Sequence, residues 1–158
     1  MTMKTILILL LSLISSSTIY CQMYTFPSYG LVNNYTNGSV LFAPSKLTIE
    51  KKSDNSFEIK AYDPNDGSVS MQCLIKYKLF NAEYEYYVFE GTLKFGEIGY
   101  NCIIRTKTKL SDFVKGIGNT SRLSFEKKYE IKILYSRYGK TPEEMEETVS
   151  IFPTNTKN

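Results

Sequence analysis

Apolar residues take every second position along much of the chain from Leu47 onward, and this alternation constrains the fold more than any other feature of the sequence. From Val69 to Leu79 the odd positions carry valine, methionine, cysteine, isoleucine, tyrosine and leucine, whereas serine, glutamine and lysine take most of the even ones. A β-strand points successive side chains to opposite faces, whereas an α-helix repeats about every 3.6 residues. The pattern therefore predicts an all-β protein built mainly from antiparallel strands.

Turn sequences separate the alternating stretches, as expected for consecutive hairpins. Ser-Asp-Asn at 53–55, Asp-Pro-Asn-Asp-Gly at 63–67 and Asn-Ala at 81–82 each interrupt the pattern. The chain is expected to hold about seven to nine strands with one or two short helices. Long consecutive hairpins favour a closed barrel of the lipocalin-like kind, because an open sheet would leave its edges exposed. A β-sandwich is the alternative.

Two stretches carry helix signals. Ser111 resembles an N-cap, and Gly116 would end that helix after one or two turns. The Thr-Pro-Glu-Glu sequence starting at Thr141 is a capping box and predicts a second short helix. Between them, apolar residues at odd positions from Leu123 to Tyr135 predict either two strands that turn at 127–128 or one long bent strand.

The beginning of the chain has the composition of a secretory signal peptide at residues 1–21. A charge at Lys4 precedes an apolar run from Ile6 to Ile14, which is too short to cross a bilayer as a helix. This leader resembles those of secreted or periplasmic proteins of the Bacteroidota, many of which end in a small residue followed by glutamine, as Cys21-Gln22 does here. The resemblance covers the leader alone. It implies cleavage before Gln22 and a secreted or periplasmic location, without a membrane span.

The remaining chain divides into three parts. Residues 22–45 are rich in Asn, Gly, Ser and Tyr and predict a loop-rich segment with one short strand at 40–42. Residues 46–152 carry the alternating pattern and predict a single antiparallel β domain. Residues 153–158 are expected to form a polar tail.

The available residue types exclude several classes of function. The chain has no histidine, which removes the commonest general base and the commonest zinc ligand. A net charge of +3 provides no basic field for binding nucleic acid. No sequence motif supplies a nucleophile with its base, a metal cage or a phosphate cradle, so we predict no catalytic residues, metal or cofactor. We also predict that the protein is a monomer. A carboxylate-dependent hydrolase is the remote enzymatic alternative.

Cys73 and Cys102 are the cysteines that remain once the leader is removed, and both lie on apolar faces. An oxidising compartment favours a disulfide between them, and we predict one. In a simple meander, however, one strand would separate them by roughly 9.6 Å, whereas a disulfide needs Cα atoms within about 6.8 Å. The disulfide therefore requires the two strands to be neighbours or to face each other, and buried free thiols are the alternative.

Aromatic residues on both faces of the stretch from Glu83 to Phe95 are the most unusual feature of the chain. Tyrosine favours strands, so packing explains part of this pattern. A strand with one wet face should not carry rings on both faces, which predicts that something covers the second face. We therefore expect a binding module for an apolar small molecule inside a barrel or, alternatively, for a partner protein on a tyrosine-rich face. The candidate contact residues are Tyr77, Tyr84, Tyr86, Tyr87, Phe89 and Tyr100.

Overall fold

The computed structural model describes residues 22–35, 38–114, 125, 127–136 and 147–153. The predicted signal peptide, the second predicted helix and residues 154–158 lie outside these ranges. Within them, eight antiparallel strands pair in chain order, and the last pairs with the first to close a barrel. The strands are β1 (Met23–Tyr35), β2 (Gly38–Ser53), β3 (Ser56–Tyr62), β4 (Val69–Asn81), β5 (Tyr86–Phe95), β6 (Ile98–Thr106), β7 (Ile131–Ser136) and β8 (Glu147–Pro153). The predicted all-β antiparallel class is confirmed.

The segment 22–45 differs from its prediction as a loop-rich region, because it forms β1 and the first half of β2. The pairing of these strands shifts register between Phe26 and Tyr29 and again between Tyr29 and Leu31. A bulge adds an unpaired residue to one strand and so breaks the alternation of faces. The sequence pattern is therefore lost although the backbone is paired.

The connection from β6 to β7 also differs from prediction. Helix α1 (Leu110–Phe113) begins one residue before Ser111, and its N-cap is Lys109, which makes no side-chain cap. The strand expected around Phe125 is instead a helical turn, in which the amide of Tyr129 donates to the Phe125 carbonyl at 2.7 Å. Only Ile131–Ser136 of that stretch is a described strand. No described helix is long and apolar enough to span a membrane.

Packing explains both of these differences. Leu110 and Phe113 of α1 and Phe125 of the helical turn are buried in the same core cluster as the barrel interior. The rings of Phe113 and Phe125 lie 6.1 Å apart, and both contact Tyr129. Burial of these rings outweighs the local preference of Ser111 for an N-cap and of odd-numbered apolar residues for a strand.

The described interior of the barrel is filled with apolar side chains, as expected for a small eight-stranded barrel. They come from the inward positions of β2 to β8: Leu47, Ile49, Phe57, Ile59, Ala61, Met71, Cys73, Ile75, Phe89, Leu93, Cys102, Ile104, Ile131, Ile133, Tyr135, Val149 and Ile151. Gly91 holds an inward position on β5 where a side chain has no room, since a Cβ atom there would lie 1.9 Å from the Leu74 carbonyl oxygen.

Candidate functional site

One end of the barrel, where the β2–β3 and β4–β5 hairpins and α1 meet, holds a cleft of about 230 Å³. We call it the mouth cleft. It is lined by Asp54, Asn55, Phe57, Tyr77, Tyr87, Phe89, Lys109, Leu110 and Ser111. Among the predicted contact residues, the structure thus brings Tyr77, Tyr87 and Phe89 together in one depression.

The aromatic rings of the mouth cleft are fixed against one another. Phe89 is buried and meets Phe57 edge to face at 5.8 Å and Tyr77 at 5.6 Å. Tyr77 stays 39% exposed at the rim. Tyr87 packs on Phe80 with ring centroids 4.8 Å apart. Phe57 and Phe89 are almost fully buried, so Tyr77 and Tyr87 supply most of the aromatic surface that a flat apolar ligand can contact.

The mouth cleft contains one paired and one unpaired charged side chain among its described lining residues. Asp54, the carboxylate of the described lining, accepts a hydrogen bond from Lys51 at 2.9 Å, which lowers the pKa of Asp54. Lys109 lies with its Nζ 5.9 Å from the centroid of the Tyr87 ring. Lys109 has no ion-pair partner among the described residues. The cleft therefore presents a cation beside its aromatic wall.

A second depression of about 230 Å³ lies on the outer face of the sheet, on the other side of β5. We call it the outer groove. It is lined by Asn81, Tyr84, Tyr86, Val88, Ile103 and Arg105, and so contains the predicted contact residues Tyr84 and Tyr86. Apolar side chains on both faces of β5 thus have separate surroundings: Phe89 and Leu93 pack inside the barrel, whereas Val88 floors the outer groove.

The tip of the β4–β5 hairpin holds one wall of the outer groove in place. Asn81 Oδ1 accepts hydrogen bonds from the backbone amides of Glu83 at 3.1 Å and Tyr84 at 3.2 Å. Glu85 takes a left-handed backbone conformation with φ of 56°. Tyr84 is nevertheless 63% exposed. A hydrogen-bonded turn therefore holds the Tyr84 ring in an exposed position.

Tyr86 closes the end of the outer groove through a polar cluster. Its hydroxyl donates to the Glu130 carboxylate, which raises the pKa of Tyr86. The Lys107 ammonium lies 4.0 Å from the same carboxylate and 6.0 Å from the centre of the Tyr86 ring. The Glu130 carboxylate therefore has Tyr86 and Lys107 as its neighbours.

The remaining predicted contact residue, Tyr100, lies in neither depression. It belongs to an aromatic cluster at the opposite end of β5, with Phe95 at 6.1 Å and Tyr135 at 5.3 Å. Its ring is half-buried and packs against the core. The sequence pattern groups Tyr100 with the other tyrosines but does not indicate at which end of the barrel it lies.

Cys73 and Cys102 are both buried free thiols, so the predicted disulfide is not formed in this structure. Cys73 pairs with Leu93 of β5, and Cys102 pairs with Gly91 on the other side of that strand. One strand therefore separates the cysteines, as in a simple meander. The neighbouring Cys102 thiol and burial both raise the pKa of the Cys73 thiol, which makes it a poor nucleophile.

A buried carboxylate, Glu58, lies on the outer face of β3 and is only 4% exposed. Burial opposes its ionisation, but bonds from Lys52 at 2.9 Å, Gln72 at 2.5 Å and Lys60 at 3.0 Å outweigh that effect and lower the pKa of Glu58 to about 2. The Lys52 ammonium also contacts Glu50 at 2.8 Å. These residues form a cross-strand ion network on a convex surface. Among the described residues, no three histidine, cysteine or acidic side chains are placed to hold a metal.

Lys109 and Arg105 were not singled out from the sequence, because no local pattern distinguishes them from other surface cations. The position of α1 places Lys109 beside Tyr87, and the pairing of the strands places Arg105 between Val88 and Lys132. Comparison of the chain with family models, with curated proteins and with solved structures finds no match.

Proposed function

We propose that the protein is a secreted or periplasmic binding module that takes a small apolar molecule at the mouth cleft. The observation that carries this proposal is the set of rings from Phe57, Tyr77, Tyr87 and Phe89 around one cleft. Its volume of about 230 Å³ is below the roughly 300–1,000 Å³ of sites for drug-sized ligands, so the ligand has about one ring. Because the described interior is filled, it binds at the end of the barrel rather than along the axis of a lipocalin-like cavity.

The same arrangement favours binding over catalysis. A glycoside hydrolase would need two acidic residues that face one cleft, and the described lining of the mouth cleft offers Asp54 alone. Glu50 and Glu58 approach each other through Lys52, but they do so on the outer face of the sheet. With a pKa of about 2, Glu58 does not hold a proton that a general acid could donate near neutral pH.

Nuclear magnetic resonance with p-cresol as the probe tests the mouth cleft. We expect p-cresol to shift the amide signals of Phe57, Tyr77, Tyr87 and Phe89. Tyr77→Ser should weaken binding by about ten-fold, because it removes an aromatic contact worth about 1.4 kcal/mol. Tyr84→Ser, at a more exposed tyrosine outside the cleft, is the control. Absence of these shifts, or equal losses in both variants, would overturn the proposal.

Export is tested separately by mass spectrometry of the protein from its native source. Cleavage before Gln22 gives a chain that starts at that residue and carries no lipid. An uncleaved Met1 or a lipidated Cys21 would contradict a secreted or periplasmic protein of this kind.

A second candidate function, recognition of a partner protein, is favoured by one observation. Tyr84 is exposed at the rim of the outer groove although an ordered turn positions it. Large exposed rings held by rigid backbone are typical of protein-binding surfaces, since little conformational entropy is lost when they are covered.

A further inference from the structure

Arg105, the cation that lines the outer groove, has a second cation directly opposite it on the neighbouring strand. On the outer face of the sheet, Arg105 of β6 pairs in register with Lys132 of β7, and on its other side with Val88 of β5. Like charges at directly opposed positions destabilise an antiparallel pair. Neither Arg105 nor Lys132 has an ion-pair partner among the described residues.

Another part of the same outer surface shows the opposite arrangement. On β2 and β3, Lys52 contacts the carboxylates of Glu50 and Glu58, and Lys60 contacts Glu58. There each cation has a carboxylate within 3.0 Å. Arg105 and Lys132 thus differ from Lys52 and Lys60, whose charges are neutralised by neighbouring carboxylates.

Apolar surface adjoins the two cations. Ile103 points outward from β6 yet is only 7% exposed, and its register partner on β7 is Leu134. Together with Val88, Ile103 supplies the apolar lining of the groove. Tyr84 and Tyr86 stand at the rim, where their rings can cover such a side chain. The groove thus combines a small apolar surface with the guanidinium of Arg105, which has no ion-pair partner among the described residues.

We propose that the outer groove binds a segment of another protein in which an apolar side chain is flanked by acidic residues. The apolar side chain packs on Val88 and Ile103, and a carboxylate accepts charge-assisted hydrogen bonds from Arg105. Each described strand is paired on both sides, so the partner is recognised through side chains rather than by adding a strand. This inference does not depend on the mouth cleft, which faces the other side of β5.

A matched pair of peptides tests the proposal. The probe is the acetylated and amidated pentapeptide Glu-Glu-Leu-Glu-Glu, and the control is Gln-Gln-Leu-Gln-Gln. In nuclear magnetic resonance titrations we expect the glutamate peptide to shift amides of Val88, Ile103, Arg105 and Lys132 and to bind at least about ten-fold more tightly than the glutamine peptide. Arg105→Gln should remove most of that difference.

Two variants with the same change in net charge separate a local contact from the general charge of the protein. Lys132→Glu places a carboxylate beside Arg105, so it should abolish peptide binding and raise the thermal midpoint by about 1–3 °C. Lys94→Glu, at an exposed outward position of β5 outside the groove, should change binding less than about two-fold.

Several results would overturn the proposal. They are equal weakening by Lys132→Glu and Lys94→Glu, equal binding of both peptides, shifts confined to residues outside the groove, or sodium acetate alone reproducing the shifts. The last result would show that the groove binds small anions rather than a protein segment.

Discussion

The ion network around Glu58 leads to a quantitative prediction about stability in acid. Glu58 is buried and bonded to Lys52, Lys60 and Gln72, and its pKa falls from the ordinary 4.5 to about 2. Each unit of pKa difference corresponds to about 1.4 kcal/mol, so the ionised carboxylate stabilises the fold by at most about 3.5 kcal/mol. Lys52 is 42% exposed, and solvent screens its contribution, which reduces the expected value to about 1–3 kcal/mol.

The sign follows from the direction of the shift. Because the pKa of Glu58 is lower in the folded state, its stabilisation is fully present above about pH 4.5 and is lost as the pH falls towards 2. Glu58→Gln keeps the shape of the side chain but removes the charge. Its free energy of unfolding should therefore be lower than that of the wild type by about 1–3 kcal/mol at pH 7, and the difference should shrink towards zero near pH 2.

Urea unfolding at a series of pH values measures this difference directly. Glu97→Gln serves as the control, because Glu97 is exposed and has no ion-pair partner among the described residues. A gap between Glu58→Gln and wild type that stays constant from pH 7 to pH 2 would refute the argument. So would equal stability of the two proteins at pH 7.

Three further predictions concern other parts of the barrel. Gly91→Ala should lower the free energy of unfolding by about 2 kcal/mol or more, as measured in urea, because its Cβ would meet the Leu74 carbonyl oxygen at 1.9 Å; unchanged stability would mean that β4 and β5 separate easily. Benzoate should bind the mouth cleft about two- to five-fold more tightly than benzyl alcohol, and Lys109→Gln should abolish that preference in the same titration. Cys73 and Cys102 should resist alkylation in the folded protein and both react after unfolding without reductant, as read by mass spectrometry; a disulfide would appear instead as two blocked thiols.

The class of fold and the inward positions of the middle strands could be predicted from the sequence, because burial of one sheet face imposes the alternation directly. Phe57 and Ile59 are examples, since both occupy odd positions and both are buried in the core. The segment 22–45 could not be predicted in the same way. Two register shifts in β1 erase the alternation there, and only pairing with β2 and β8 shows that it is strand. The position of Phe125 likewise depended on distant partners in the core.

One extra residue in β4 decides which residues at the end of that strand face each depression. Tyr77 pairs with Phe89 and Leu79 pairs with Val88, so Lys78 has no residue opposite it in the backbone register and forms a bulge. After the bulge the faces exchange parity, and Leu79 turns outward although the odd positions before it point into the barrel.

The same exchange places Phe80 opposite Tyr87 on the mouth side and Asn81 opposite Tyr86 on the outer side. Without this bulge, Asn81 would turn towards the mouth, and the side chain that caps the turn beneath Tyr84 would leave the outer groove. The alternation in the sequence runs unbroken through Lys78, so it predicts aromatic residues on both faces of the hairpin but not which of them share a site. The ordinary alternation of β5 turns Tyr86 and Tyr87 to opposite faces, and the bulge in β4 sets Phe80 and Asn81 beside them.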